Sequence, residues 1–330
     1  MYHVDIFEAI FNPSVSPCFA YNHTHQEERD HIHSELEYIK SRIGLPDVSS
    51  SKVKEYLIRL IHCHMMGYNV DFGLIYAIMI TQSGESIADR RVGYLASTLF
   101  IENDSELAIM LTNTLQRDLQ SAKFQDRCAA LVAIGNIRQQ EIVKAVVDLV
   151  IINTDYQKET VRKKAYVALY WQLEIDPQLQ DQLLPILEKG LVDKDPSVLG
   201  AVIGIWRNLI KVSSEPWHNA LLHSKLTYGS CQKTPALYEE ALPAIINHLR
   251  YILGGKLHKS FDYHGTPSPW VQMHCIEILE IVQSAGLGSP SEIVEVVMET
   301  LRAVEKGVDA SFGTSPGNAK FYSSPKHSAH

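Results

Sequence analysis

Histidine is the most conspicuous source of chemistry in this 330-residue chain, which carries 15 of them. His23, His25, His31 and His33 sit close together, and His62-Cys63-His64 follows. Zinc held from a helix usually takes ligands at i and i+4, which face the same way. The close spacings here are H-x-H, whose side chains on a helix point about 200° apart and cannot readily close on one ion. There is no H-E-x-x-H. The five cysteines (Cys18, Cys63, Cys128, Cys231, Cys275) form no C-x-x-C pair, which reads as free thiols in a reducing cytosol rather than a disulfide framework. Gly254-Gly255-Lys256-Leu257 ends like a phosphate-binding loop but lacks the first glycine, the Ser/Thr after lysine and a preceding strand. A glycine-terminated helix is the better reading. No nucleophile elbow is present. The expectation is a chain with no catalytic residue, metal or cofactor; a histidine-metal enzyme would need stoichiometric zinc to be revived.

Basic residues offer a second kind of chemistry. Lys52, Lys54 and Arg59 lie within one segment, Arg90 and Arg91 are adjacent, and Arg162, Lys163 and Lys164 are consecutive. Such clusters are either a solvated face or a patch for anionic lipid headgroups, each charge contributing about 1 kcal/mol near the surface. The chain as a whole is acidic, with net charge −8, which argues against nucleic acid as a partner. The longest apolar run, Ala145–Ile152, is interrupted by Asp148, too short and too polar for a membrane span. The start carries no secretory signal, and neither end carries a lipidation motif, so a soluble cytosolic chain is expected.

The elements that must position these groups are helical nearly throughout. Ile32, Leu36, Ile39 and Ile43 make a narrow stripe over 27–43. Ser49-Ser50-Ser51 supplies N-caps for a helix over 52–66 stopped by Gly67, and Asp71 is expected to cap the next, which runs to Gln82. Further helices are predicted near 90–101, 105–119, 124–137, 141–152, 158–173 and 177–190. Asp195-Pro196 reads as N-cap and first-turn proline of a helix to about Lys211. The last three fall near 235–253, 269–284 and 290–304. Residues 213–234 read as a long connection, and 254–269 as another around Phe261, Tyr263 and Trp270. The valine-rich 143–152 lacks alternation and sits among helices, so the fold class is all-α.

A register recurs. Ala130, Ala165 and Ala201 are separated by 35 and 36 residues; Ala133, Ala168 and Gly204 follow, then Ile134, Leu169 and Ile205. Small residues let neighbouring helices approach and aliphatic ones fill the layer, the pattern of a HEAT- or armadillo-like α-solenoid; a non-repetitive bundle is the alternative.

Several stretches then become specific. Lys54-Glu55-Tyr56-Leu57-Ile58-Arg59-Leu60-Ile61, Met66-Gly67-Tyr68 with Asp71-Phe72-Gly73, and Arg90-Arg91-Val92-Gly93-Tyr94-Leu95 resemble the early helices of large adaptin subunits of adaptor protein complexes. So do Leu111-Thr112-Asn113-Thr114, Val161-Arg162-Lys163-Lys164-Ala165 and Asp193-Lys194-Asp195-Pro196-Ser197-Val198. Leu253-Gly254-Gly255-Lys256-Leu257, Phe261-Asp262-Tyr263-His264 and Pro267-Ser268-Pro269-Trp270 resemble most the epsilon type of the fourth adaptor complex.

The resemblance implies a solenoid trunk over 26–306. Residues 1–25 depart from the family and read as a divergent, flexible lead-in, and 307–330, rich in Gly, Ser, Pro and His, reads as a disordered tail. The resemblance also implies a non-catalytic scaffold in a heterotetramer with beta, medium and small adaptor subunits, sorting cargo into vesicles at the trans-Golgi network as a peripheral membrane coat. By resemblance, anionic headgroups would meet Lys54, Tyr56 and Arg59, and an Arf-type small GTPase would meet Ile75, Ile78 and Met110. Glu55 stands where a related lipid-binding chain has lysine. Family large chains continue for several hundred residues, so a trunk ending here would expose an apolar end face that needs a partner. The alternatives are a free-standing helical-repeat scaffold, of transport-receptor or phosphatase-regulator type, and a truncated, non-functional adaptin fragment.

Overall fold

The computed structural model describes residues 25–84, 86–101, 106–214, 234–284, 286 and 288–312. Among them lie thirteen α-helices: α1 (His25–Arg42), α2 (Ser50–Met65), α3 (Leu74–Ser83), α4 (Ile87–Phe100), α5 (Ala108–Leu119), α6 (Phe124–Asn136), α7 (Gln140–Asn153), α8 (Glu159–Ile175), α9 (Gln180–Lys189), α10 (Pro196–Ser214), α11 (Thr234–Leu253), α12 (Pro269–Ser284) and α13 (Pro290–Phe312). The all-α reading holds, with one small exception. A two-residue ladder, Asp262–Tyr263 against Thr266–Pro267, interrupts the connection between α11 and α12.

Contacts divide the chain into two compact units, Met1–Ile186 and Leu187–His330. A single trunk body over 26–306 was the expectation. In the first unit the main contacts run between helices two apart, and α3–α4, α5–α6 and α7–α8 join the resulting rows in pairs. α2, α4, α6 and α8 form one row, while α3, α5 and α7 form the second. Two rows of this kind are what an α-solenoid requires, because each helix pair buries its apolar face only against the pairs beside it. In the second unit α10 packs on α12, and α11 on both α12 and α13. Arg250 of α11 faces Glu292, Glu295 and Glu299 of α13 at 3.6–3.7 Å.

The local causes are visible. Ile32, Leu36, Ile39 and Ile43 are all buried, as the stripe predicts. The Ser49 hydroxyl accepts from the Lys52 amide and caps α2, and Gly67 takes φ +88° just beyond it. Asp71 does not cap a helix. It opens a 3-10 turn (Asp71–Gly73) and is tied to Asn69, while α3 starts at Leu74 with no side-chain cap. The cap sequence reading overlooked is at α4, where Ser86 and Asp89 bond each other's amides reciprocally, a capping box that satisfies two donors at once. Asp195 accepts from the Ser197 and Val198 amides ahead of Pro196, as predicted.

Gly93 sets the tightest crossing. A Cβ there would lie 2.7 Å from Ile80 Cγ2 and 2.8 Å from the Ala77 carbonyl oxygen, so α3 and α4 meet at a distance only glycine permits. The repeat register is also visible in the packing. Ala130, Ala133, Ala165 and Ala168 are buried with Ile134 and Leu169, and in the second unit Gly200 and Gly204 approach Val271 and His274 of α12.

Two boundaries moved. The 177–190 helix is split into 3-10 turns at Pro177–Leu179 and Gly190–Val192 around α9. α13 continues to Phe312, past the expected tail boundary at Gly307, since one glycine costs a helix only about 1 kcal/mol. All but the last residue of the expected lead-in over 1–25, most of the 213–234 connection and the rest of the tail lie outside the described residues.

Candidate functional site

The three headgroup candidates all lie on α2, and each is already engaged. Lys54 Nζ is 3.0 Å from Asp89 Oδ1, a carboxylate almost wholly buried in the capping box of α4. Arg59 donates to Glu35 of α1 at 2.7 Å and also pairs with Glu55. Tyr56 is only 3% exposed and meets Tyr38 edge-on, with Lys52 Nζ over its ring. Burial opposes the charge on Glu55, yet Lys52 and Arg59 outweigh it and hold the carboxyl below its usual range. Asp89 behaves likewise: burial is overcome by Ser86 and Lys54. This surface is basic in sequence and internally neutralised in space.

The GTPase candidates separate. Ile75 and Met110 are half-buried, whereas Ile78 is completely buried and packs in the core. Met79 and Ile109, beside them in sequence, are the exposed large apolar side chains of α3 and α5.

The other two basic clusters are each split by the fold. Arg90 turns inward, pairing with Asp118 and, at 2.6 Å, with Asp126, while the Tyr94 hydroxyl donates to Asp118 at 2.7 Å. Burial, the Asp118 charge and the hydrogen bond raise the Tyr94 hydroxyl well above its ordinary value. Arg162 donates to the Tyr156 and Gln157 carbonyls. Their sequence neighbours turn outward. Arg91 of α4 and Lys163 and Lys164 of α8 line one continuous groove that crosses α6. Its two lobes, about 390 and 430 Å³, share Val132, Asn136 and Lys164. Leu95, Val132 and Val167 stand half-exposed along it, and Trp171 closes one end beneath the Arg138 guanidinium. Burial, with Arg91 and Lys163 nearby, pushes the Lys164 ammonium below its ordinary value.

Sequence reading grouped cations by adjacency and so missed this groove. The signal was available in the repeat itself, since the offset of 35 that aligns the alanines also aligns Val132 with Val167 and Asn136 with Trp171.

Among the described residues the histidines form no comparable site. His33 stacks edge-on with Tyr68 and His64 lies against Phe100, and among the described residues no three His, Cys, Asp or Glu side chains converge to hold a metal. Gly254-Gly255 ends α11, with Gly255 at φ +66°, and Lys256 folds back over Tyr251.

The helices carrying these motifs are matched by the family model described as "Adaptin N terminal region", over residues 28–312. The chain belongs to the adaptin family. The mouse and human AP-4 complex subunits epsilon-1 are 31% and 32% identical over 281 residues, 85% of this chain and 23% of theirs. The Arabidopsis thaliana AP-4 complex subunit epsilon is 33% identical over 296 residues, 90% of this chain and 29% of the relative. This adaptin chain therefore spans about a quarter of the length of the curated relatives it matches. Its match covers both compact units.

Proposed function

We propose that this chain is the N-terminal trunk of an epsilon-type large subunit and serves as a non-catalytic scaffold in a heterotetrameric adaptor complex. The observation that carries the reading is a 285-residue adaptin match (28–312) over stacked helix pairs. Its partners would be beta, medium and small adaptor subunits, and its work vesicle-mediated transport and cargo sorting at the trans-Golgi network, on the cytosolic face of the membrane. Large lateral faces on rigid helices suit a scaffold, because side chains on stacked helices keep fixed spacing.

Within that reading, Ile75 and Met110 would touch an Arf-type GTPase while Ile78 supports them from the core. Anionic headgroups would reach α2 by competing with Glu35, Glu55 and Asp89 for Arg59 and Lys54, so membrane contact there would loosen internal ion pairs.

Pull-down of the tagged chain from its own cells, read by mass spectrometry, tests the assignment. Beta, medium and small adaptor chains should return together; their absence from a soluble, folded bait overturns it and leaves the free-standing scaffold or orphan fragment. Ile75→Asp with Met110→Asp should abolish GTP-dependent recruitment, and retained recruitment removes the GTPase contact. Lys54→Glu with Arg59→Glu should weaken binding to anionic liposomes if the headgroup contact exists.

A further inference from the structure

The groove across α4, α6 and α8 has features that the internally paired surface of α2 lacks. Arg91, Lys163 and Lys164 approach it from two helices, and no carboxylate is among the residues lining either lobe. The nearest acid on α8, Glu159, accepts from its neighbour Thr160. Lys164 is held half-buried beside two like charges at a cost to its own ionisation. Such an arrangement is stabilised when an anion arrives. The walls, however, are largely apolar, with Leu95, Val132, Val167 and Trp171 among them.

We propose that this groove docks an extended segment of a partner chain in which carboxylates alternate with aliphatic side chains. The carboxylates would meet Lys164 and its two neighbouring cations, and the aliphatic groups would cover Val132 and Val167. The row geometry sets the length. Helices packed at about 8–10 Å place the α4-to-α8 span near 16–20 Å, which five or six extended residues cover at about 3.3 Å each. A flat bilayer cannot enter a groove recessed between helices, and a free phosphate would leave the aliphatic walls wet. The lobes fall in the size range of pre-formed ligand sites, about 300–1,000 Å³.

This inference does not depend on the adaptor reading, because the pull-down can fail while the groove still binds, and the reverse. The test is selection of a random peptide display library on the folded chain, run in parallel on Arg91→Glu with Lys164→Glu and on Val132→Glu. Enriched peptides should place Asp or Glu within four residues of Leu, Ile, Val or Phe, and synthetic versions should lose about tenfold or more in affinity on either variant, as truncated or reversed interfacial charges do. Far-UV circular dichroism and melting confirm folding; if a reversal fails to fold, Arg91→Gln with Lys164→Gln replaces it with the same expected loss.

Five results overturn the proposal. The first is no enrichment, and the second is enriched peptides without acidic residues or indifferent to the variants. The third is displacement by inorganic phosphate at matched ionic strength, which marks a bare anion site. The fourth is variant-sensitive sedimentation with phosphatidylserine vesicles without peptide selection, which marks a membrane contact. A dimer abolished by the same substitutions would assign the groove to a second copy of this chain and would equally overturn it.

Discussion

The cations of α2 and those of the α4–α6–α8 groove have similar local sequence density and opposite electrostatic states. On α2, Lys54 and Arg59 each lie within 3.0 Å of a carboxylate from a neighbouring helix, and their charge holds α1, α2 and α4 together. In the groove, Arg91, Lys163 and Lys164 line apolar walls with no carboxylate among them. The contrast shows that a basic run in a helical repeat carries little information until the partner helix is known. Arg90 and Arg91 make the point most economically, being adjacent in sequence and divided between a buried ion network and a surface.

That pair provides the most severe test. Arg90→Met leaves Asp126 without its cation and buried Asp118 with only the exposed Arg117, and should cost about 3 kcal/mol, read as a lower urea midpoint at unchanged slope. Arg91→Met should change the midpoint by no more than about 0.5 kcal/mol. Equal effects would erase the distinction. A smaller effect is expected at Lys54→Met, about 1 kcal/mol at neutral pH, since the Lys54 side chain remains partly exposed. Its pH dependence has a definite sign. Asp89 and Glu55 titrate below their ordinary values of 3.8 and 4.5 in the folded chain. The stability they supply is therefore complete above those values and lost as pH falls through the depressed ones. The difference between Lys54→Met and the parent chain should shrink below about pH 3.8, followed by thermal melts across an acid series.

The smallest effect belongs to Lys164→Met. A lysine whose folded value is lowered costs stability while charged, a cost relieved only as pH rises toward its ordinary value of 10.5. The substitution should leave melting unchanged or raise stability by at most about 0.5 kcal/mol, while peptide capture by the groove falls. A clear loss of stability would show that Lys164 has an internal role and would weaken the comparison.

Much of the fold was legible because helix periodicity and caps are local. The Ile32–Ile43 stripe, the Ser49 cap, the Asp195-Pro196 start and the bounds of α12 are each set by residues within a turn or two of one another. Where a turn hinges on a competing local bond, reading failed: Asp71 bonds Asn69 rather than a helix amide, and the Ser86–Asp89 box was passed over although its S-x-x-D spacing is written in the sequence. The small hairpin after α11 was also unread, because two residues per strand leave no alternation to detect. For the sites, resemblance located residues but could not say which way they point. Ile78 is in the core and Tyr56 nearly so, since a helix at this spacing offers both faces and only the neighbouring rows decide between them. The groove lay hidden for the same reason: its cations come from α4 and α8, more than 70 residues apart in sequence.

The missing side chain at Gly93 also bears on the order in which the chain acquires structure. It lets α3 and α4 reach backbone contact across a connection of three residues, 84–86, so closing this pair sacrifices little chain entropy. Contacts local in sequence form early in helical proteins. In a pulse-labelling refolding experiment the amides of α3 and α4 should gain protection ahead of those of α1, which waits for a docking surface on α2. An alanine at position 93 would then slow refolding as well as weaken the folded state, making the crossing a kinetic seed for the rows that grow from it.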